Sequence, residues 1–255
     1  MTIGGSVHRP PILGGERIRD AENSCPLEVR DLATTPTTNR LLSRLSAGDL
    51  KLLSRYLKSV DLPLRKRLET PGRTIDYVYF PESGFASVVA NGTLTDQVEV
   101  GMIGREGMTG LAVVLGADQS PNDTYMQNAG KGLRIPADTL ASAMQKSESL
   151  RFTLLLYAHA FFIQATQTAK SNGRSKIEER LARWLLMADD RLDGDLPLTH
   201  EFLGLMLGTH RPGVTIALQA LEKAGLITTR RSHITIVDRK ALEKSSNGTY
   251  VQSDN

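Results

Sequence analysis

The sequence contains very little cysteine and no apolar signal region near its start. Its single cysteine, Cys25, excludes an internal disulfide and an iron–sulfur cluster held by four cysteines of one chain. The five histidines are scattered, and the closest pair, His200 and His210, does not have metal-ligand spacing. We therefore expect no metal site and no cofactor, and we expect the cytoplasm as the compartment.

An excess of charge of one sign is also missing. Lysine and arginine exceed the acidic residues by three, and 40% of the residues are hydrophobic. This composition is typical of a globular protein, and 255 residues suffice for one large domain or two ordinary ones. Because the net charge is small, evidence for a charged partner must come from local charge and not from the total.

The most informative stretch runs from Leu198 to Leu226. Thr199 is a good helix N-cap, and apolar residues at helical spacing follow it up to Gly208, which can take the left-handed conformation that ends a helix. Pro212 suits the first turn of a second helix, and Gly225 ends that helix. Two helices with so short a turn predict a helix-turn-helix, whose second helix enters the DNA major groove. The alternative is an ordinary helical hairpin in a core.

A predicted β-hairpin directly after these helices favours the DNA-binding interpretation. Its two strands contain Ile227 and Ile234, and its polar tip carries Arg230 and Arg231. Residues 208–240 hold six lysines and arginines against two acidic residues. Such a local basic excess beside a groove-reading helix is what phosphate contacts require. The sequence therefore predicts a winged helix-turn-helix.

The chain before this region changes its hydrophobic period twice. A helical pattern spans Asn39–Val60 and is broken near Ser46, which is predicted to cap the second part. Short β runs then extend from Tyr77 to Val100, and Leu111–Leu115 and Lys131–Ile135 are predicted to continue them. Several short strands at this spacing predict a small antiparallel barrel or roll.

A long helix is predicted from Leu150 to Lys170, ending where Gly173 interrupts it, with another helix over Arg174–Asp190. A membrane span needs about 20 mostly apolar residues, and the polar second half of the long helix argues against one. Apolar residues spaced three and four apart predict the seam of a coiled-coil dimer, so the expected partner is a second copy of the chain. The predicted seam consists of Leu155, Ala158, Phe162, Ala165 and Ala169.

The order of helix, β-roll, long helix and winged helix-turn-helix resembles the Crp/Fnr superfamily of bacterial transcriptional regulators. The resemblance spans roughly Asn39 to Glu243 and implies an α+β fold with a cyclic-nucleotide-binding-like jelly roll. Its most specific motif is Leu198-Thr199-x-x-x-x-Gly204-x-x-x-Gly208-x-x-Arg211-x-x-Val214, and its sensor motifs are Tyr79-Phe80-Pro81-x-x-Gly84 and Gly101-Met102-Ile103-Gly104.

The resemblance also divides the chain into five parts. The roll is the expected sensor domain, and both ends of the chain are expected to be flexible. The parts are a flexible extension over 1–38, the sensor roll over 39–148, a dimerisation helix over 149–172, the winged helix-turn-helix over 173–245 and a flexible tail over 246–255.

The resemblance implies a homodimer on a two-fold symmetric operator in double-stranded DNA, with RNA polymerase as a candidate further partner. Arg211 matches the arginine that members commonly use on a guanine. Pro212 replaces a base-reading glutamate and Ile216 a second arginine, so the operator should differ, and Ile216 could contact a thymine methyl. The predicted DNA contacts are Thr199, His200, Thr209, His210, Arg211, Gly213, Thr215, Ile216, Gln219, Arg230, Arg231 and His233, of which Thr199 and His200 match phosphate-contacting positions.

The sensor half departs further from the family pattern. Members that bind cyclic nucleotides hold the ribose and phosphate with a Gly-Glu pair and an Arg-Ser or Arg-Thr pair. Here Met108 follows Gly107 in place of a carboxylate, and the second site has no arginine and contains Asp123, which would repel a phosphate. Cyclic-nucleotide binding is therefore predicted to be lost, although the roll is retained. The residues that would line any effector pocket are Met108, Thr109, Gly110, Ser120 and Thr124.

Two other functions compete with a DNA-binding regulator. One is a nucleotide- or small-ligand-sensing module whose main partner is not DNA, and the missing phosphate arginine counts against nucleotide sensing. The other is an enzyme, which would need a nucleophile–base pair, a phosphate-cradling glycine loop followed by lysine, or a metal cluster. The sequence offers none of these, so we expect a regulator and not an enzyme.

Overall fold

The structure, a computed structural model, describes residues 37–90, 97–192, 196–230 and 233–251. The predicted flexible extension therefore lies almost wholly outside the described residues. The described chain opens with two short helices, α1 (Arg40–Ser43) and α2 (Ala47–Ser54). The side chain of Asn39 accepts from the N–H of Leu42 to cap α1, and Ser46 caps α2 as predicted.

Seven antiparallel strands then form the predicted roll from two sheets. One sheet has the order β1-β7-β3 and the other the order β2-β6-β4-β5. The strands are β1 (Lys58–Leu62), β2 (Arg67–Glu69), β3 (Tyr77–Pro81), β4 (Phe85–Ala90), β5 (Val98–Ile103), β6 (Asn122–Asn128) and β7 (Gly130–Pro136).

Two predicted elements of the roll are wrong. The helix predicted up to Val60 ends earlier, because Lys58–Leu62 pairs with β7 as a strand. Leu111–Val114, predicted as a strand, forms the short helix α3, which follows the left-handed Gly110. In both places tertiary packing overrides local propensity: strand β1 completes a sheet, and α3 turns Val113 and Val114 into the core.

The core of the roll is closed by helices on the outside of the β1-β7-β3 sheet. A helix that the sequence did not predict, α4 (Ala137–Lys146), buries Leu140 and Met144 beside Phe80 and Ile135. The long helix α5 (Glu148–Arg174) packs next to it. It continues through Gly173, where the sequence predicted a break, and ends at Ser175, before α6 (Ile177–Asp189) begins.

The C-terminal part is a winged helix-turn-helix around one apolar core. Its three-stranded antiparallel sheet has the order β8-β10-β9, and the helices α6, α7, α8 and α9 pack around the core. Its further elements are β8 (Leu196–Pro197), α7 (His200–Met206), α8 (Arg211–Lys223), β9 (Ile227–Arg230), β10 (His233–Ile236) and α9 (Arg239–Ser245). The predicted α+β fold class is therefore confirmed.

The start of the predicted flexible tail is packed against this domain. Ser246 and Thr249 are buried, and the carbonyl of Thr249 accepts from Nε of Arg183 at 3.0 Å. The Tyr250 hydroxyl donates to the carboxylate of Asp190 at 2.9 Å. The prediction of a flexible tail is thus wrong for residues 246–250, because these contacts hold the chain after α9 against α6. Residues 252–255 lie outside the described part.

Candidate nucleic-acid interface

The turn between α7 and α8 is built from glycines where the backbone requires them. Thr199 caps α7 by accepting from the N–H of Phe202. Gly208 has φ +55°, the left-handed conformation predicted for it. A Cβ at Gly204 would lie 2.9 Å from the carbonyl oxygen of Thr209, so only glycine lets the turn fold back on α7. This turn fixes where α8 begins.

Helix α8 divides cleanly into a buried and an exposed side. The buried side joins the domain core and consists of Val214, Ala217, Leu218 and Leu221. The opposite side is exposed to solvent over the whole length of the helix. The exposed residues of the helix are Arg211, Pro212, Ile216, Gln219, Ala220, Glu222 and Lys223. An amphipathic helix of this kind offers a continuous outer face to a partner.

One hydrogen-bonded pair joins α7 to α8. The Thr215 hydroxyl donates to the carbonyl of Arg211 at 3.1 Å, and it lies 3.0 Å from Nδ1 of His200. Because the single hydroxyl proton is used on Arg211, the hydroxyl accepts from Nδ1–H of His200. Both side chains are half-buried, so they hold the two helices together, and the Thr215 hydroxyl already has partners within the domain.

The remaining predicted contact residues lie around this helix. Thr199 and His210 are exposed, whereas Thr209 and Gly213 are half-buried in the turn and first helical turn. On the hairpin, whose strands are β9 and β10, Arg230 and His233 are exposed partners in the antiparallel register. Arg231 lies outside the described residues. The structure thus gathers the described contact residues on α7, α8 and the wing, and their roles on DNA stay predictions.

Sequence reasoning missed the polar contacts that join this domain to the roll. Nε1 of Trp184, on α6, donates to Oε1 of Glu99 on β5 at 2.7 Å, and the Ser87 hydroxyl donates to the same carboxylate. Burial raises the pKa of Glu99 to about 7, although Ser87 and Trp184 oppose the shift. Glu99 alternates with valines in its strand, a pattern that usually indicates a solvated face, so its burial could not be predicted from the pattern.

The predicted effector pocket is filled by a carboxylate of the chain itself. Oε1 of Glu69, on β2, accepts from the N–H of Gly110 at 2.6 Å. Burial raises the pKa of Glu69, and the Gly110 N–H and the hydroxyls of Thr124 and Ser120 oppose that shift. All five predicted pocket residues are buried around this carboxylate: Met108, Thr109, Gly110, Ser120 and Thr124.

The aspartate in this region plays a different part from the one predicted. Asp123 was expected to repel a phosphate, but Nε of Arg67 lies 3.0 Å from its carboxylate. This pairing offsets the negative charge of Asp123. The residue that opposes an anionic ligand is therefore Glu69 and not Asp123. Glu69 is buried without a cation within ion-pair distance among the described residues.

Helix α5 presents a continuous exposed apolar face, but its phase differs from the predicted seam. Ala158 is 9% exposed and belongs to the core of the roll, so it cannot face a partner, and Ala165 is half-buried. The helix must cover the roll with the side that carries Leu150, Leu154 and Ala158. The exposed large apolar residues are Phe152, Leu155, Leu156, Phe162 and Ile163. Exposure therefore favours positions 152, 155, 159, 162, 166 and 169 for a seam, and not 158 and 165, while the dimer itself stays a prediction.

The same helix is attached to the roll by two side chains. The Tyr157 hydroxyl donates to the carbonyl of Met108 at 3.0 Å. The Gln164 amide accepts from the N–H of Met102 at 2.6 Å and donates to its carbonyl at 3.2 Å, as a neighbouring strand would at this edge of the sheet. The loop of the predicted pocket is therefore in direct contact with the helix that carries the seam.

Two other kinds of feature are a metal site and a membrane-spanning helix. Within the described residues, no group of three or more histidine, cysteine, aspartate and glutamate side chains could hold a metal ion. Of the described helices, none is both long and apolar enough to cross a membrane.

Comparison with known proteins agrees with this architecture. Residues 179–245 match the family described as a Crp-like helix-turn-helix domain. No curated protein matches the sequence. A transcriptional regulator of the Crp/Fnr family from Eubacterium rectale is similar in structure, with a TM-score of 0.66, 19% identity, and coverage of 83% of this chain and 99% of that one.

Two other solved structures have the same fold. FixK2 from Bradyrhizobium japonicum gives a TM-score of 0.65 at 17% identity, covering 74% of this chain and 96% of its own. CLP, a c-di-GMP-responsive global regulator from Xanthomonas campestris, gives 0.59 at 19% identity, covering 75% and 99%. The predicted resemblance is confirmed: residues 179–245 match a Crp-like helix-turn-helix domain, and the described chain is similar in fold to solved structures of Crp/Fnr-type regulators.

Proposed function

We propose that the protein is a transcriptional regulator that binds a two-fold symmetric DNA operator as a homodimer. The exposed face of α8 carries this proposal. Arg211 stands exposed at the start of α8, the end of a recognition helix that meets base edges, while the opposite side of α8 is packed in the core. A guanidinium can bond both acceptors of a guanine in the major groove. Arg211 is accordingly the base reader of each half-site.

The wing and the start of α7 supply the phosphate contacts. Arg230 is exposed at the end of β9, where a cation meets the DNA backbone more simply than a base. His200 lies at the first position of α7, and the N–H groups at that helix end favour an anion. Its Nδ1–H is already donated to Thr215, so a phosphate here would be held by the backbone N–H groups of the helix start and not by the imidazole. Arg231 belongs to the same set by its place in the sequence.

The partner across the seam is a second copy of the chain. A helix of 27 residues that exposes Phe152, Leu155, Phe162 and their neighbours on one face requires another apolar surface to cover them. Two such helices, side by side, bury the same residues on both subunits, as a two-fold interface demands. The dimer places two copies of α8 to contact two half-sites.

The sensor roll takes no cyclic nucleotide. The Glu69 carboxylate fills the place among Gly110, Ser120 and Thr124, and within it no arginine is available for a phosphate. A transcriptional regulator acts beside the chromosome in the cytoplasm, and RNA polymerase is its expected protein partner. This role needs no catalytic group, so the protein is a regulator and not an enzyme.

The test begins with selection of bound sequences from random DNA by the full-length chain. Binding of the selected operator and of single-base variants is then measured for the wild type, Arg211→Ala and the control Arg73→Ala, an exposed arginine of the roll. We expect Arg211→Ala to weaken operator binding by about one to two orders of magnitude and to lose preference at one base pair per half-site. Arg73→Ala should bind as the wild type does.

Two results would count against the proposal. Selection that yields no preferred sequence would overturn sequence-specific DNA binding as the function. Equal weakening of all sequences by Arg211→Ala would leave DNA binding in place but would make Arg211 a phosphate contact, so that specificity would depend on other residues of α8 or on DNA shape.

A further inference from the structure

The middle of the exposed face of α8 is apolar. Pro212, Ile216 and Ala220 are spaced four residues apart, so they form one row along the helix. All three are exposed, and Ile216 is 61% exposed. None of these side chains can donate or accept a hydrogen bond. A row without polar groups therefore runs along the face that would enter the groove.

A single exposed apolar residue on a protein surface needs no explanation. Ile216 is informative because of its position on α8. It lies on the side of α8 opposite the buried Val214 and Leu221, and Gln219 is its exposed neighbour one turn on. If Arg211 reaches a base edge, the row that follows it along the helix also faces the bases. The apolar feature of the major groove is the 5-methyl group of thymine.

The polar neighbour of Ile216 does not compete for this position. The Thr215 hydroxyl is already used by the Arg211 carbonyl and by His200. Thr215 therefore acts as a positioning residue that fixes α8 against α7. This leaves Ile216 as the large apolar side chain in the centre of the exposed face.

Resting on the DNA-binding function proposed above, we propose that Ile216 contacts the 5-methyl group of a thymine and so specifies thymine at one position of each half-site. The shorter Pro212 and Ala220 flank it and keep hydrogen-bonding groups away from that methyl. The chemical element recognised is thus a methyl group, whereas Arg211 recognises hydrogen-bond acceptors. Two different kinds of base contact would then act from one helix face.

The test removes only that methyl group. Each thymine of the selected operator is replaced in turn by deoxyuridine, which pairs identically but lacks the 5-methyl. Affinities are measured by fluorescence anisotropy for the wild type, Ile216→Ala and Val237→Ala. Val237 is the matched control, because it is 59% exposed and lies in the same domain but follows β10 and is not part of α8. Both variants change exposed side chains, so folding should be unaffected.

We expect deoxyuridine at one position to weaken wild-type binding by about fourfold per half-site, the value of burying one methyl-sized group, and by about fifteenfold when both half-sites are substituted. Val237→Ala should show the same loss. Ile216→Ala should bind the thymine operator more weakly and should no longer distinguish thymine from deoxyuridine at that position.

The outcomes separate this inference from the function on which it rests. If an operator is selected but no thymine is sensitive to deoxyuridine, or if Ile216→Ala keeps the same sensitivity, the methyl contact is wrong and the regulator function stands. If no sequence is preferred, both fall together. Loss of sensitivity in Ile216→Ala, with its retention in Val237→Ala, supports the contact.

Discussion

Around Met108–Gly110 the roll turns its hydrogen-bonding groups inward, whereas α8 keeps its reading groups on the outside. In the roll, the Glu69 carboxylate accepts from the Gly110 N–H and lies beside the hydroxyls of Thr124 and Ser120, so an anion of the chain itself occupies this position. On α8, Arg211 and Gln219 are exposed. The difference leaves the polar groups of α8 available to an external partner, while the predicted pocket of the roll already contains an anion of the protein.

Helix α5 combines both kinds of surface. One side carries Leu154 and Ala158 into the core of the roll, and the other exposes Phe152 and Phe162. Tyr157 and Gln164 attach the helix to the roll, so a change in the roll can reach the exposed side. The comparison therefore predicts that substitutions on exposed faces alter partner binding, and that substitutions of inward groups alter stability.

The largest effect is expected at the exposed face of α5. Phe162 is 67% exposed, and Phe162→Glu would place a charge in the apolar seam between two subunits. Burying an unpaired carboxylate is strongly unfavourable, so we expect dimerisation to weaken by at least about a hundredfold. Light scattering at micromolar protein concentration should report the mass of a monomer. The unfolding temperature of the subunit itself should change little.

Ala160→Glu is the control for this prediction. Ala160 is also exposed on α5, but it lies about 100° around the helix from position 159 of the seam. This variant should remain a dimer. A dimeric Phe162→Glu protein would show that the exposed apolar face is not the interface. The two sides of α5 would then not differ in the way proposed, with one side covering the roll and the other binding a partner.

The DNA-binding half was largely predictable from sequence because its signals are local. The N-cap at Thr199, the left-handed Gly208 and Pro212 in the first turn of α8 each impose a backbone conformation through their own chemistry. The wing followed from β-branched residues on both sides of a polar tip. Each of these elements lies where the sequence placed it.

The roll and the seam were harder because their signals depend on distant partners. Strand β1 forms by pairing with β7, about 70 residues away in the sequence. The exposed apolar side of α5 was predicted in a different phase, because a helix with two apolar sides does not reveal which side covers its own domain. Glu69 and Glu99 looked like surface glutamates, since the donors that surround them come from other strands and helices. Spacing alone could not find them.

The buried contact between Glu99 of the roll and Trp184 of the winged helix-turn-helix domain should make the stability of the protein depend on pH. Because burial raises the pKa of Glu99 to about 7, above the 4.5 of an ordinary glutamate, the folded state holds a proton more tightly than the unfolded state. The associated stability is fully present below about pH 4.5 and is lost as the pH rises through 7. Its size is at most about 3 kcal/mol. Glu99→Gln should flatten the fall in unfolding free energy between about pH 5 and pH 8.

Urea denaturation at several pH values provides the measurement. A glutamine can still accept from Trp184 and can donate to Ser87, so the variant should fold. Glu148→Gln is the control, because the Glu148 side chain is 91% exposed and should leave the pH profile of the wild type unchanged. An identical pH profile for Glu99→Gln would mean that water reaches Glu99 and that the junction between the two halves is open.

A smaller effect is expected on the exposed wing. Arg230→Ala should weaken binding to all DNA sequences by a similar, few-fold factor, because a phosphate contact carries no base information. The dependence of log affinity on log salt should fall by about one unit per lost contact in each subunit. Titrations of operator and random DNA at three salt concentrations measure both quantities. A loss confined to the operator would make Arg230 a base reader and would extend the sequence-reading face beyond α8.

The last prediction is that cyclic nucleotides do not bind, and it tests the predicted pocket of the roll, where Glu69 is buried. Calorimetric titration with cyclic AMP or cyclic GMP should show no binding in the micromolar range, either by the wild type or by Glu69→Gln. The glutamine removes the negative charge but supplies no cation for a phosphate, so charge removal alone should not create a site. Binding by Glu69→Gln alone would show that the Glu69 charge is the whole barrier. Micromolar binding by the wild type would show that Glu69 leaves its position among Gly110, Ser120 and Thr124, and the roll would then be as open to a partner as α8.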